Sequence, residues 1–252
     1  MAADDMLLRS QGPSAPVLRF YRWDPACISL GFHQKADCLD MERIRRDKKD
    51  VVRRPTGGRA VLHDEEVTYA AVVPAGEGNP RSLAEIYEWI NRGLTAGLQK
   101  LGVQAQLQKR SPDFHAHYRN ALSASCFSAA ARYEILVQGE KLVGSAQRKI
   151  GGSVLQHGSI LLGEGHLELA FYLASTEQEK NRFRGAIQER TTSLSGCLGK
   201  NVTWEQAVES LREGFEQSLG VHLEEDEFTD EENRLIRGNE KQFSIYSCGQ
   251  GR

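Results

Sequence analysis

Two stretches of this chain repeat their apolar residues at helical spacing. Ile86, Ile90, Leu94, Leu98 and Leu101 recur every three or four positions with polar residues between them. That stripe predicts an amphipathic helix over 82–102. Ser82 with Glu85 three residues on makes a capping box at its start, and Gly102 closes it. Val208, Leu211, Phe215 and Leu219 form a second stripe over 203–219, capped by Thr203. Shorter helices are expected at 2–9, 36–49, 166–174 and 178–188, and in a final stretch ending near 242, after the acidic run 224–232. Between them, short runs rich in β-branched and aromatic residues predict strands at 17–23, 27–32, 67–73, 103–107, 133–137, 141–147 and 154–162. Asp24-Pro25 is a turn between the first two. Gln138-Gly139-Glu140 closes a tight hairpin. Residues 50–64 read as strand, glycine turn, strand. Gln156-His157-Gly158 interrupts the run 154–162, and the polar stretch 112–124 reads as a surface loop.

Strands with helices interspersed, and no regular βαβ alternation, predict an α+β fold with mixed or antiparallel sheets flanked by helices. No repeat or linker divides the chain. Residues 1–252 are therefore expected to form one domain, with a helical C-terminal segment from about residue 200.

Composition adds mainly exclusions. With 32 basic and 34 acidic residues the formal charge is −2, so no bulk charge points to nucleic acid. No apolar run reaches the roughly 20 residues that cross a bilayer, and the acidic start MAADD does not read as a signal peptide. Five widely spaced cysteines without a CxxC pattern fit neither a disulfide framework nor a zinc site. A reducing cytoplasm and a monomer are expected. His115 and His117 near Cys126 lack a fourth ligand at a usual spacing, so no metal is expected. The basic residues Arg43, Arg45, Arg46, Lys48 and Lys49 suit the C-terminal end of a helix dipole; docking of an acidic partner is the alternative.

The chemistry concentrates between Ser125 and Gly163. Cys126 precedes Lys141 by fifteen residues, with the predicted hairpin between them. Gly144 and Gly158 leave strand surface without side chains, as happens where a ligand or another backbone comes close. A cysteine near a lysine above such a floor points to acyl transfer. Upstream, Gly57-Gly58 is flanked by Arg53, Arg54 and Arg59. Backbone N–H groups beside guanidinium donors there would suit an anion or a carbonyl; a plain charged hairpin is the other reading.

Two motifs together carry a family resemblance. Arg53-Arg54-Pro55-Thr56-Gly57-Gly58-Arg59-Ala60-Val61-Leu62-His63-Asp64 resembles the signature loop of the biotin/lipoate protein ligase superfamily. Lys141-Leu142-Val143-Gly144-Ser145-Ala146-Gln147 and Gln156-His157-Gly158-Ser159 resemble its lysine strand and the segment after it. Cys126-Phe127, with Tyr133-Glu134 downstream, narrows the resemblance to the cysteine-dependent octanoyltransferases of the LipM type, over about residues 1–223. The resemblance implies a class II biotin/lipoate protein ligase-like catalytic domain. It also implies a reaction: an octanoyl group passes from octanoyl-acyl carrier protein to Cys126 as a thioester. From there it passes to a lysine of a lipoyl domain, such as glycine cleavage H protein, with no cofactor. Lys141 would promote the thiolate. An ammonium about 4 Å away stabilises a thiolate by up to ~4 kcal/mol at an effective dielectric of 20, against a free thiol pKa of about 8.5.

Arg54, Gly57, Gly58, Arg59, His63, Gly144, Ser145, Ala146, His157 and Gly158 would line the acyl and substrate pocket. Backbone N–H groups near Cys126 or at His157-Gly158 are candidate oxyanion donors; His157 is equally a base or a hydrogen-bonded structural histidine. The alternatives are an ATP-dependent lipoate ligase, which would not need Cys126, an amidotransferase moving octanoyl between lipoyl domains, and a non-catalytic protein that binds lipoyl domains.

Overall fold

The computed structural model describes residues 1–9, 15–74, 79, 82–108 and 134–248. Its strands, in chain order, are β1 (Val17–Tyr21), β2 (Cys27–Leu30), β3 (Asp50–Arg53), β4 (Val61–His63), β5 (Glu66–Pro74), β6 (Gln106–Gln108), β7 (Glu134–Val137), β8 (Glu140–Ile150), β9 (Ser153–Leu161) and β10 (Ser244–Tyr246). The helices are α1 (Ala2–Arg9), α2 (Met41–Arg46), α3 (Leu83–Lys100), α4 (Glu177–Gln188), α5 (Leu194–Leu198), α6 (Trp204–Leu219) and α7 (Asp230–Phe243). Six strands form an antiparallel sheet in the order β1-β5-β9-β8-β7-β6. A smaller sheet runs β10-β3-β2-β4, with β2 and β3 parallel and its other pairs antiparallel. The α+β class expected from the strand and helix pattern is the one found.

Alternation along β5 sorts the core into two layers. Val67, Tyr69, Ala71 and Val73 join Ile86, Ile90, Leu94 and Leu98 of α3 and Leu211 and Phe215 of α6. Ala70 and Val72 face the other way and pack with Leu155 against Met6, Leu7 and Leu8 of α1. Both faces of the strand are buried, which is why its sequence reads as a continuous apolar run.

α3 carries the expected capping box between Ser82 and Glu85. It meets α6 through glycine: a Cβ added to Gly214 would lie 2.1 Å from the Gly97 nitrogen. Gly214→Ala is therefore expected to push the helices apart and cost about 2–3 kcal/mol. Gly238→Ala in α7, where an added Cβ meets nothing within 4 Å, should be neutral or stabilise by ~0.5–1 kcal/mol from helix propensity. Thermal melts of the two variants separate packing from propensity.

Several elements differ from expectation. Residues 36–49 are not one helix: a 3-10 turn at Ala36–Cys38 ends before Asp40, whose carboxylate accepts from the Arg43 N–H (3.0 Å) and caps α2. The basic end of α2 is engaged within the fold. Arg43 and Arg46 pair with Asp47, Lys49 pairs with Asp64, and Arg45 lies over the Tyr246 ring. Gln156-His157-Gly158 does not interrupt a strand but sits inside β9. Residues Gly165–Tyr172 form 3-10 turns rather than an α-helix. After α7 the chain adds β10 to the free edge of β3.

Candidate functional site

Segment 54–60 is not a hairpin turn. β3 and β4 lie on opposite sides of β2, so the segment must cross over the end of that strand. Leu30 O accepts from the Arg54 N–H (2.9 Å), and Thr56 O accepts from the Phe32 N–H (2.9 Å). Where the chains cross, a Cβ on Gly31 would stand 1.9 Å from Gly58 O. Gly58 itself has φ +96°, a conformation that glycine alone adopts without strain.

Arg54 holds the crossing from beneath. Its guanidinium donates to Gly57 O (3.2 and 3.1 Å), Arg59 O (2.6 Å) and Ser29 O (2.9 Å), and the residue is 4% exposed. Because a trans peptide is planar, the Gly58 N–H points opposite to Gly57 O, away from that guanidinium. Arg53 binds the neighbouring turn through Gly31 O (3.0 Å) and Gln34 O. Gly57 and Gly58 are exposed and Arg59 is half-buried. A glycine loop with its carbonyls gathered inward leaves N–H groups for an outside acceptor.

The loop, β8 and β9 come together. Thr56 Oγ1 lies 2.6 Å from His157 Nε2, and Arg148 on β8 donates to Pro55 O. His157 pairs in register with Ala146, and Ser159 with Gly144. By strand alternation Gly144, Ala146 and His157 therefore share the face that looks toward the loop. Ser145 and Gly158 are opposite neighbours on the other face. Ser145 Oγ bonds Tyr69 OH (2.7 Å) there, and a Cβ on Gly158 would stand 2.8 Å from the Tyr69 ring and 2.2 Å from Gly144 O. Gly158 thus lets β8 and β9 approach. Behind His157, Asp4 binds Arg19 and Tyr21. Burial works against ionisation of Asp4, but the terminal amino group, His157 and Arg19 outweigh it and hold the carboxyl well below the usual range.

Lys141 stands three residues from Gly144, ~10 Å along the strand. Read alone it would be a surface residue. Instead it is 6% exposed, with Nζ 2.5 Å from Glu134 Oε1 on β7, itself 6% exposed. Its backbone leaves the β9 ladder: its N–H donates to Arg190 O (2.8 Å), and its carbonyl accepts from the Thr192 N–H (3.1 Å). In the sequence Glu134 stands out only as part of the Tyr133-Glu134 motif, and its spacing from Lys141 carries no sign of the ion pair. Cys126, His115 and His117 lie outside the described residues. Among those described, no group of His, Cys, Asp and Glu could hold a metal, and no helix is long and apolar enough to cross a membrane.

His63 is not exposed to the loop's outer side. It is 5% exposed and bonded to Ser29 and Glu66. His166, which belongs to none of the sequence motifs, is buried too. Its Nε2 lies 2.9 Å from Thr191 Oγ1, whose hydroxyl is bonded to Ile187 O (3.0 Å). Burial pushes His166 down to about 4, against a weaker opposing bond to the Gly163 backbone. Between pH 6.5 and 4 the unfolded chain thus binds a proton that the folded chain refuses. Its contribution to stability is complete above pH 6.5 and is lost as pH falls to 4, by roughly 3 kcal/mol. Urea unfolding across that range should show the slope, and His166→Gln should remove most of it. His157, also shifted down by burial, supplies part of the remainder.

Residues 1–216 match the family profile described as the lipoyl protein ligase A/B catalytic domain. Curated relatives named octanoyltransferase LipM include one from Kyrpidia tusciae, 43% identical over 92% of this chain and 86% of the relative. Another, from Bacillus subtilis, is 36% identical over the same shares. Among solved structures the chain resembles a bi-partite lipoate protein ligase from Thermoplasma acidophilum, described together with its E2 lipoyl domain. That likeness has a TM-score of 0.75 and 22% identity, over 94% of this chain and 85% of the other. A lipoate-protein ligase A bound with ATP gives a TM-score of 0.72 and 22% identity, over 94% and 87%. These two likenesses are of fold.

Proposed function

The chain belongs to the lipoyl protein ligase A/B catalytic-domain family and to its LipM-type octanoyltransferases, and on that premise we propose a two-step octanoyl transfer through Cys126. It is an acyltransferase. In the first step the Cys126 thiolate attacks the thioester carbonyl of octanoyl-acyl carrier protein. The new Cys126 Sγ–C bond forms, and the pantetheine sulfur leaves and takes up a proton. In the second step the ε-amine of a lysine on a lipoyl domain, such as glycine cleavage H protein, attacks the enzyme thioester. The amide forms, the Cys126 thiolate is restored and the amine releases a proton. One thioester is exchanged for another before the downhill step to an amide, so no nucleotide is consumed.

The observation that carries this reading is the match, at 35–43% identity over at least nine tenths of the chain, to relatives named octanoyltransferase LipM. The geometry supports it. Thr56, at the start of the glycine loop, bonds His157, which shares a sheet face with Gly144 and Ala146, and the small side chains beside it suit an acyl chain. Lys141 brings a buried ammonium to the start of the same strand.

Intact-protein mass spectrometry after mixing the enzyme with octanoyl-acyl carrier protein, without ATP, tests the proposal. The expected result is one octanoyl adduct that hydroxylamine releases and that moves on to added apo-H protein. If no adduct forms, and ATP with free octanoate or lipoate is needed to label the acceptor, the chain is a ligase and the Cys126 thioester is wrong.

A further inference from the structure

Beneath the glycine loop, a set of buried polar side chains runs from the large sheet to the small one. Glu66 and Thr68 are on β5, Ser159 on β9, Ser29 on β2 and His63 on β4. Each is 5% exposed or less. His63 Nε2 lies 2.7 Å from Ser29 Oγ, and His63 Nδ1 lies 2.7 Å from Glu66 Oε1. The same carboxylate oxygen accepts from Ser159 Oγ (2.9 Å) and from Thr68 Oγ1, while Thr68 Oγ1 accepts from Trp23 Nε1 (2.9 Å). The Trp23 ring stacks on the imidazole, with centroids 4.8 Å apart and planes within 18°.

A serine, a histidine and a carboxylate in series have the outline of a nucleophile, base and orienting acid. Here that use is closed off: Ser29 is 0% exposed, and its hydroxyl oxygen already accepts from Arg54 Nη1 (3.1 Å). No substrate carbonyl can reach it. What the series can transmit is direction. Arginine has donors only, so Arg54 must give to Ser29. If Nδ1 of His63 gives its hydrogen to the Glu66 carboxylate, Nε2 offers a lone pair, and the Ser29 hydroxyl has one acceptor to point at. Every donor then has an acceptor in the order Arg54, Ser29, His63, Glu66.

We propose that Ser29, His63 and Glu66 are positioning residues: with His63 in its Nδ1–H form, they fix the Arg54 guanidinium and, through it, the carbonyls of Gly57 and Arg59. They therefore act on the reaction through the shape of the loop, without touching substrate. The consequence for octanoyl transfer rests on the function proposed above; the consequence for the loop does not.

Two substitutions at one position separate the ends of the series. Asparagine keeps a donor near the position of Nδ1 and loses the acceptor toward Ser29. Glutamine keeps an amide near the position of Nε2. In hydrogen–deuterium exchange, His63→Asn should raise exchange of the Arg54 and Phe32 amides, which bond Leu30 O and Thr56 O at the crossing, by about tenfold, with α6 unaffected. His63→Gln should recover most of the protection. Ser29→Ala, which removes only the hydroxyl, should match His63→Asn and decides the matter if that variant does not fold. Nitrogen-15 spectra of the wild-type imidazole should place the hydrogen on Nδ1. With octanoyl-acyl carrier protein as substrate, KM should rise by more than kcat falls. Unchanged loop exchange in Ser29→Ala, equal exchange in the Asn and Gln variants, or a hydrogen found on Nε2 would each overturn the proposal. Loss of octanoyl transfer in the wild-type enzyme would instead count against the proposed function and leave the exchange and nitrogen-15 results standing.

Discussion

Cys126→Ala is expected to abolish octanoyl transfer while leaving the fold intact. The size of the loss follows from the chemistry. Without the thiol no enzyme thioester forms, and the remaining path is direct attack of an acceptor amine on a carrier-bound thioester. Loss of a nucleophile elsewhere lowers turnover by on the order of 10⁴-fold or more, and what remains comes from binding and oxyanion contacts. The adduct should vanish in mass spectra, and transfer to apo-H protein should fall by on the order of 10⁴-fold or more. Cys126→Ser provides a second test, because an octanoyl ester on serine would resist hydroxylamine conditions that cleave a thioester. Transfer at wild-type rate by Cys126→Ala would sink the two-step scheme. Cys27 does not offer a substitute nucleophile: burial drives its thiol well above the ordinary range.

Lys141→Ala is expected to have two separable effects. The first is on stability. Lys141 and Glu134 form an ion pair with both side chains no more than 7% exposed, and removing one member of a buried pair costs about 3–5 kcal/mol. For a chain of this length that lowers Tm by roughly 10 °C. The second effect is on acylation. A lone ammonium 4 Å from the thiol would stabilise the thiolate by up to ~4 kcal/mol, but a carboxylate 2.5 Å from Nζ cancels part of that field. The expected upward shift of the acylation pH profile is therefore about one to two units, a 10- to 100-fold loss of rate at neutral pH. The double variant Lys141→Met with Glu134→Gln should recover much of the stability and none of the rate. A profile for Lys141→Ala that overlays the wild type would remove Lys141 from the thiolate role, whatever the melting temperature.

Much of the fold was legible because its signals are local. The stripe Ile86, Ile90, Leu94, Leu98 fixes one face of α3 wherever that helix packs, and the Ser82–Glu85 capping box closes within four residues. Gln138-Gly139 gives a tight turn because both residues adopt positive φ, +52° and +90°. The motif residues were legible for a different reason: glycine at 57, 58, 144 and 158 is recognisable as a pattern before its use is known.

The tertiary structure decided which partners those residues have. His63 and His157 occupy comparable places in their motifs, yet one is tied to Ser29 and Glu66 and the other to Thr56. Segment 54–60 reads as a hairpin until β2 is found between its flanking strands, a pairing across more than twenty residues. Lys141 reads as exposed until Glu134 and the 190–192 backbone close around it, and β10 is a strand because β3 has a free edge for it. In the sequence itself lie the periodicities, caps and turns, since those depend on neighbours within a few residues. Burial, hydrogen-bond direction and the pairing of charge depend on groups that folding brings from far along the chain, and only the packed structure supplies them.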